Sequence, residues 1–509
     1  MTKKFNIKSI AVIGGGPGGL AALYEFLYTN KDGSSTVGKE KAANPAFEKI
    51  VVFEQKNNAG GIWASDVEHS DPLFPPQEFL DSERYNDPDV IHPEIEQPSG
   101  LTLENSYDSP LVLNENRQAF EWSSSGVYAD LFTNIPTRFT RFSYLPDEEK
   151  YHDDSRVIYP FLTHQELSQR LYDLIERENL SRYIRTNTRV EKVQKNEEGQ
   201  WVITAKIKEQ SKEYWYQEEF DAVVVANGHY TVPNIPRIEG LAEYHRANHS
   251  LLIHAKSYSD RNIFKDKKVL VVGNSISSAN LLQYIFPLAR ETYLSKRSHH
   301  IVFPWIETAT QSEGIKVKPA IKRFIPETKE VEFTDSTTVK DFDVILFTTG
   351  YHYHYPFLKD ILGVVEPSNL SRVSGLYLNT FSIKDPTLAV TGVAISHLNF
   401  HTIETSAAAI AGLWSNVKAL PPKEELHTWE EDHKKETGDN LLFHFYPPEK
   451  VRVFINELSP YFPQGRSDPL SKDEQYLVKD MDLANARLEK LFYDLKDGRV
   501  SVTDTVNVK

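Results

Sequence analysis

The 509 residues contain no cysteine. That single absence removes disulfides, thiolate metal sites and every cysteine nucleophile. No run approaches the ~20 consecutive apolar residues that a membrane span requires. The opening MTKKFNIKSI leads into a strand without the apolar core of a secretory signal. The closing DGRVSVTDTVNVK is polar, which argues against a membrane tail. Basic charge is also in deficit, with 57 Lys+Arg against 72 Asp+Glu and a formal net charge of −15. Binding to a phosphate backbone needs clustered cations, so no nucleic-acid partner is expected. What remains is 40% hydrophobic and 25% charged, an ordinary globular composition. The length suits roughly three domains of ~150 residues. A cytoplasmic enzyme is the default expectation, and the sequence leaves oligomeric state open, a homodimer included.

Strands alternate with helices along the chain, the pattern of an α/β fold. Short apolar strands are expected at Ile10–Ile13, Lys49–Phe53, Ala222–Val225, Val269–Val272, Thr292–Leu294, Val344–Phe347 and Leu388–Thr391. Helices are expected over Leu20–Tyr28, Tyr159–Glu178 and a stretch ending at Trp414, and a meander over Thr188–Val193 and Trp201–Ile207. The polar stretch 29–49 and the proline-dotted stretch 66–125 read as surface insertions. Pro233 and Pro236 mark a hinge.

The segment Gly14-Gly15-Gly16-Pro17-Gly18-Gly19 follows a strand and opens a helix, the context in which GxGxxG binds a dinucleotide. Gly14 permits the tight turn, Gly16 lets backbone approach a pyrophosphate, and Gly19 lets helix pack on strand. Free N–H groups at the helix start would hold the phosphates. Glu54, at the end of the next strand, is the expected partner of the ribose hydroxyls; the insertion between them lengthens the usual ~20-residue spacing. A second strand–turn–helix carries Gly273-Asn274-Ser275-Ile276-Ser277-Ser278. Taken alone this GxSxxS also suits an ordinary turn with a serine cap. The following strand, however, ends in Ser295-Lys296-Arg297, and cations there suit a 2′-phosphate where a carboxylate would suit NAD. The nicotinamide expected is therefore NADPH, with either Lys296 or Arg297 on the phosphate.

Two dinucleotide sites imply a flavin, FAD, and its reductant. Disulfide reductases on such a scaffold pass electrons through a cysteine pair, and this chain has none. Reduced flavin must then deliver electrons to O₂, a quinone or another protein.

Further segments resemble the flavin-containing monooxygenases, most closely fungal members, including the thiol-oxidising type. The likeness is carried by FDAVVVANGHY (220–230), Phe347-Thr348-Thr349-Gly350-Tyr351 and Gly60-Gly61-Ile62-Trp63. His254-Ala255-Lys256-Ser257-Tyr258 is similar to the end of the family's identifying motif, although Asn248 and Ser250 replace the Phe and Gly that begin it. YADLFTNIP (128–136) resembles YxxLxTNxP, whose Asn lies beside the flavin. By that resemblance Asn134 is the catalytic residue, and Gly61, Trp63 and Thr133 lie along the FAD. A neutral amide suits the role because it donates a hydrogen bond without acting as a base. The resemblance also places Phe400–Ser406 near the flavin, with His401 where relatives commonly have Pro and Glu404 either at the ring or serving the helix dipole. No third ligand accompanies the His352/His354 or His299-His300 pairs, so no metal is expected.

The expected fold is two Rossmann-like units: FAD-binding 1–232 with 351–420, NADPH-binding 233–350, and a helical extension 421–509. The expected activity is NADPH- and O₂-dependent oxygenation of a thiol, sulfide or amine through a C4a-hydroperoxyflavin, with the substrate itself as nucleophile. The alternatives are a Baeyer–Villiger monooxygenase, an NADPH-dependent flavin reductase and a non-catalytic NADP/FAD-binding protein.

Overall fold

A computed structural model describes residues 4–64, 71–91, 95–114, 122, 124–128, 130–209, 212–248, 251–300, 303–358, 364–366 and 368–506. Parts of the 66–125 stretch, Ala129 of the YxxLxTNxP-like segment and Ser250 lie outside them.

Two parallel sheets organise the chain. In the first, Leu388–Val390, Ala222–Val225, Ser9–Ile13, Lys49–Phe53 and Ile184–Arg185 run parallel in that order, extended at one edge by Phe381–Ser382 and Leu376–Tyr377. In the second the order is Leu251–His254, Val344–Phe347, Lys268–Val272, Glu291–Ser295, Ile315–Lys318. Runs such as AVVV and VILF are buried throughout, as strands covered on both faces must be. Each sheet has a glycine-turn helix behind its central strand: Pro17–Leu27 in the first and Ile276–Ile285 in the second. The chain crosses between the sheets twice, and the crossings pair with each other, Val232–Pro233 against Tyr351–His352.

Most expected strands fall within a residue or two of their places. The helix expected from Tyr159 begins later, at His164, because Thr163 and Glu166 form a reciprocal capping box there. The meander is one edge of a four-stranded antiparallel sheet completed by Lys212–Phe220 and Leu111–Leu113. Stretch 29–49 is less exposed than its polarity suggests: Gly33 and Ser35 exchange backbone hydrogen bonds with Gln464 of the C-terminal extension. That extension also packs against the helix Asn399–Trp414, so closely that a Cβ on Gly412 would lie 1.9 Å from the Tyr461 carbonyl oxygen.

Candidate functional site

The first turn is shaped by crowding. Gly14 has φ +106°, and a Cβ there would stand 2.5 Å from the Ala226 carbonyl oxygen on the neighbouring strand. A Cβ on Gly19 would lie 1.9 Å from the carbonyl of Gly14, so helix and strand meet only through glycine. Gly16 caps the helix with extended backbone and no side-chain hydrogen bond, and Pro17 follows at its first turn. The N–H groups of that turn are thus left for a ligand. Across from them, Glu54 is 4% exposed, and its two oxygens accept from Gly15 N (2.8 Å) and Lys56 N (2.9 Å). Burial pushes its carboxyl above the ordinary value, and those two N–H groups oppose the shift.

A cavity of ≈ 490 Å³ opens from this turn. Gly14, Gly16, Pro17, Gly18 and Glu54 line one end. Gly61, Trp63, Thr133 and Asn134 line it as well, and Ser277 brings the second nucleotide helix to the wall. Ten of the residues singled out from sequence therefore share one space. Two polar atoms on or beside its wall, Thr391 Oγ1 and Asn227 Oδ1, are buried without a hydrogen-bond partner. A closely approached glycine turn, free helix N–H groups, a buried carboxylate and orphaned polar atoms fit a dinucleotide such as FAD. Gly14–Gly18 and Glu54 would hold its adenosine diphosphate, and Thr133, Asn134 and Thr391 would face its ring.

The Asn134 segment is tied to both units. Thr133 exchanges hydrogen bonds with Leu162, N to O at 2.7 Å and Oγ1 from N at 3.0 Å. Tyr128 donates to Asn280 Oδ1, and Tyr284, one turn further along that helix, donates to the Asp130 carbonyl at 2.9 Å. Tyr258 from the His-x-x-x-Tyr segment packs edge-on to Tyr128, with centroids 5.1 Å apart. The Asn134 carboxamide itself makes no hydrogen bond among the described residues, and it faces the cavity. Four histidines, His229, His352, His354 and His397, also line the space. Burial lowers His229, His352 and His397 to about 4 and His354 to about 3, so all are neutral at neutral pH.

Other expected residues lie elsewhere. Gly273 (φ +121°) makes the second tight turn, and its Cβ would meet the Thr348 carbonyl at 2.8 Å. Ser275 Oγ donates to that carbonyl at 3.2 Å, and Ser278 Oγ sits 2.8 Å from Thr348 Oγ1 and accepts from Ser275 N at 2.9 Å. Ser278 is fully buried, so its hydroxyl shapes the turn and is not offered to a phosphate. Asn274 donates to Glu307 at 3.1 Å and Lys296 pairs with the same carboxylate, while Arg297 is exposed. Glu404 is off the cavity wall. It is fully buried behind it, accepting from Ser143 N at 2.7 Å and paired with Arg466 of the C-terminal extension, so its role is structural. Asn227, Asn280, Thr391 and His397 were not singled out in the sequence; the first stood in a quoted motif, whereas the others are single polar residues with no local signature. Among the described residues no three His, Asp or Glu side chains converge as metal ligands.

Comparison with known proteins agrees with this architecture. The chain is 29% identical over 426 residues to the flavin-containing monooxygenase FMO GS-OX-like 9 of Arabidopsis thaliana, covering 82% of this chain and 78% of that protein. It is 28% identical over 508 residues to the flavin-containing monooxygenase iboF of Amanita muscaria, covering 89% and 88%. The solved S-allyl-L-cysteine S-oxygenase of Allium sativum superposes with a TM-score of 0.64 at 21% identity, over 97% of this chain and 100% of that one, a likeness of fold. The model of the flavin-binding monooxygenase-like family matches residues 113–314 and 306–444, which span Asn134, the second nucleotide turn and both crossings. The chain belongs to the flavin-binding monooxygenase-like family and is an FAD- and NADPH-dependent monooxygenase.

Proposed function

We propose that the protein oxygenates a soft nucleophile, a thiol, sulfide or amine, and that Asn134 is the residue that attends the reacting centre. The observation that carries this is the Asn134 carboxamide, unpartnered among the described residues and facing a cavity that both nucleotide helices reach. The S-oxygenase likeness above suits a sulfur substrate. When bound, the flavin accepts hydride from NADPH and activates O₂. The chain's own part is binding, orientation and exclusion of water. Gly14–Gly18, Gly61, Trp63 and Glu54 would seat the FAD, and the turn Gly273–Ser278 with Lys296 or Arg297 would seat the NADPH. Tyr128 and Tyr284 register the Asn134 segment against the helix Ile276–Ile285, from where the amide donor would serve charge developing on oxygen. Phe132, Ile135, Phe139 and Phe400 make the surrounding wall apolar and keep water out. The same reading extends to a cytoplasmic location and to the domain division at 232/233, 350/351 and 420/421, which rest on composition and strand pattern.

The test is rapid mixing. Enzyme reduced anaerobically by NADPH and then given O₂ should return slowly to oxidised-flavin absorbance, and NADPH consumption should couple to a thiol, sulfide or amine. Asn134→Ala should shorten that delay by about 10²-fold and raise H₂O₂ release, with FAD content unchanged. An unchanged delay removes Asn134 from this role, and an immediate return in the wild type replaces the oxygenase reading by a reductase.

A further inference from the structure

The second nucleotide turn is gathered around a carboxylate. Glu307 lies on the short helix Pro304–Ala309 with its side chain 22% exposed. Its Oε1 accepts from Lys296 Nζ and from Gln311 Nε2 (2.8 Å) and stands 2.8 Å from His299 Nδ1. Its Oε2 accepts from Asn274 Nδ2 and His300 N, both at 3.1 Å. One side chain thus joins the turn that follows Lys268–Val272 to the loop that follows Glu291–Ser295. Burial raises its carboxyl, but Lys296, the His300 N–H, His299 and Asn274 outweigh burial and hold it down to about 2. It is an anion at every working pH.

A 2′-phosphate brought to Lys296 or Arg297 meets that anion. Lys296 is already paired with it, whereas Arg297 is exposed and forms no ion pair among the described residues. Two like charges ~6 Å apart at an effective dielectric of about 20 repel enough to change an affinity roughly 10- to 100-fold. NADH has no such phosphate, and its ribose hydroxyl is a donor to which a carboxylate can respond favourably.

We propose that Glu307 is a specificity-determining residue that holds down the preference for NADPH over NADH, by occupying Lys296 and leaving Arg297 as the principal cation for the 2′-phosphate. This rests on the reading that Lys296 and Arg297 face that phosphate. The two coenzymes differ only there, so a merely structural contribution of Glu307 would move both affinities together and leave their ratio alone.

The experiment measures dissociation constants of NADP⁺ and NAD⁺ by calorimetry on the FAD-loaded full chain, with kcat/KM for NADPH and NADH alongside. Glu307→Gln should raise the NADP⁺ preference about 10-fold, more at low ionic strength. Arg297→Ala should lower it by a similar factor. Should Glu307→Gln fail to fold, the double variant Lys296→Gln/Glu307→Gln serves: it should keep more NADP⁺ preference than Lys296→Gln alone, in which the carboxylate is left unpaired. An unchanged or lowered preference in Glu307→Gln, or a double variant that keeps no more preference than Lys296→Gln alone, overturns the proposal. If neither cation variant alters the preference, the phosphate assignment itself fails; if Arg297→Ala lowers it while Glu307→Gln does nothing, only the role of Glu307 falls.

Discussion

The two nucleotide turns begin alike and then diverge. Gly14 and Gly273 both take a positive φ, and at both a Cβ would run into a backbone carbonyl of the adjoining strand segment, Ala226 or Thr348. The tight turn therefore demands glycine in each unit. Further on, the first turn is pressed by the chain: a Cβ on Gly16 would lie 3.3 Å from Gly61, and one on Gly19 1.9 Å from Gly14 O. At the corresponding places in the second turn stand Ser275 and Ser278, whose hydroxyls bond to Thr348 and to the turn's own backbone. The later glycines of a GxGxxG thus report what packs over the turn. The counter-charges differ as well. The first helix carries Glu25, fully buried and joined through Arg466 to Glu404, whereas the second turn is braced from its rim by Glu307.

The largest expected break in this contrast is Arg466→Met. It leaves Glu25 and Glu404 buried without their shared cation, at a cost of about 3–5 kcal/mol, with loss of retained FAD on heating. Thermal unfolding and flavin release should show it; an unaltered melting temperature would mean that the C-terminal extension does not brace the first unit. Next comes Gly19→Ala, expected to cost about 1–3 kcal/mol or more and to deplete bound FAD, because the added carbon meets backbone. Its counterpart Ser278→Ala should cost only about 1 kcal/mol, the worth of a side-chain hydrogen bond, with NADP⁺ binding retained. Equal effects in the two turns would dissolve the contrast drawn between them. The last effect is on acid stability. Glu307 is held at about 2, below the ordinary carboxylate value, so its contribution is fully present above ~4.5 and is lost as pH falls toward 2. Urea unfolding from pH 5 to pH 3 should therefore fall less steeply for Glu307→Gln than for wild type.

Much of the fold was legible because its signals are local. Strands such as Ala222–Val225 and Val344–Phe347 are continuous apolar runs, and Gly14 stands where strand, turn and helix follow one another directly. The start of His164–Arg177 is less legible because the apolar stretch before it continues the pattern, while the capping pair Thr163 and Glu166 decides the boundary. Glu404 illustrates the converse. At the start of a helix it suits either a ring contact or a dipole, and only the arrival of Arg466, 62 residues later, settles it.

By itself the sequence determined the two nucleotide units, the absence of any cysteine redox pair and the segment that carries Asn134, because each is written in contiguous residues whose backbone demands are local. Tertiary structure decided which of those residues share a space. It tied the segment that carries Asn134 to the helix Ile276–Ile285 through Tyr128, Asn280 and Tyr284, drew Glu404 away to Arg466, and brought Glu307 to Asn274 and Lys296. Such contacts join residues far apart in the chain, and their strength depends on burial and distance, neither of which a linear pattern encodes.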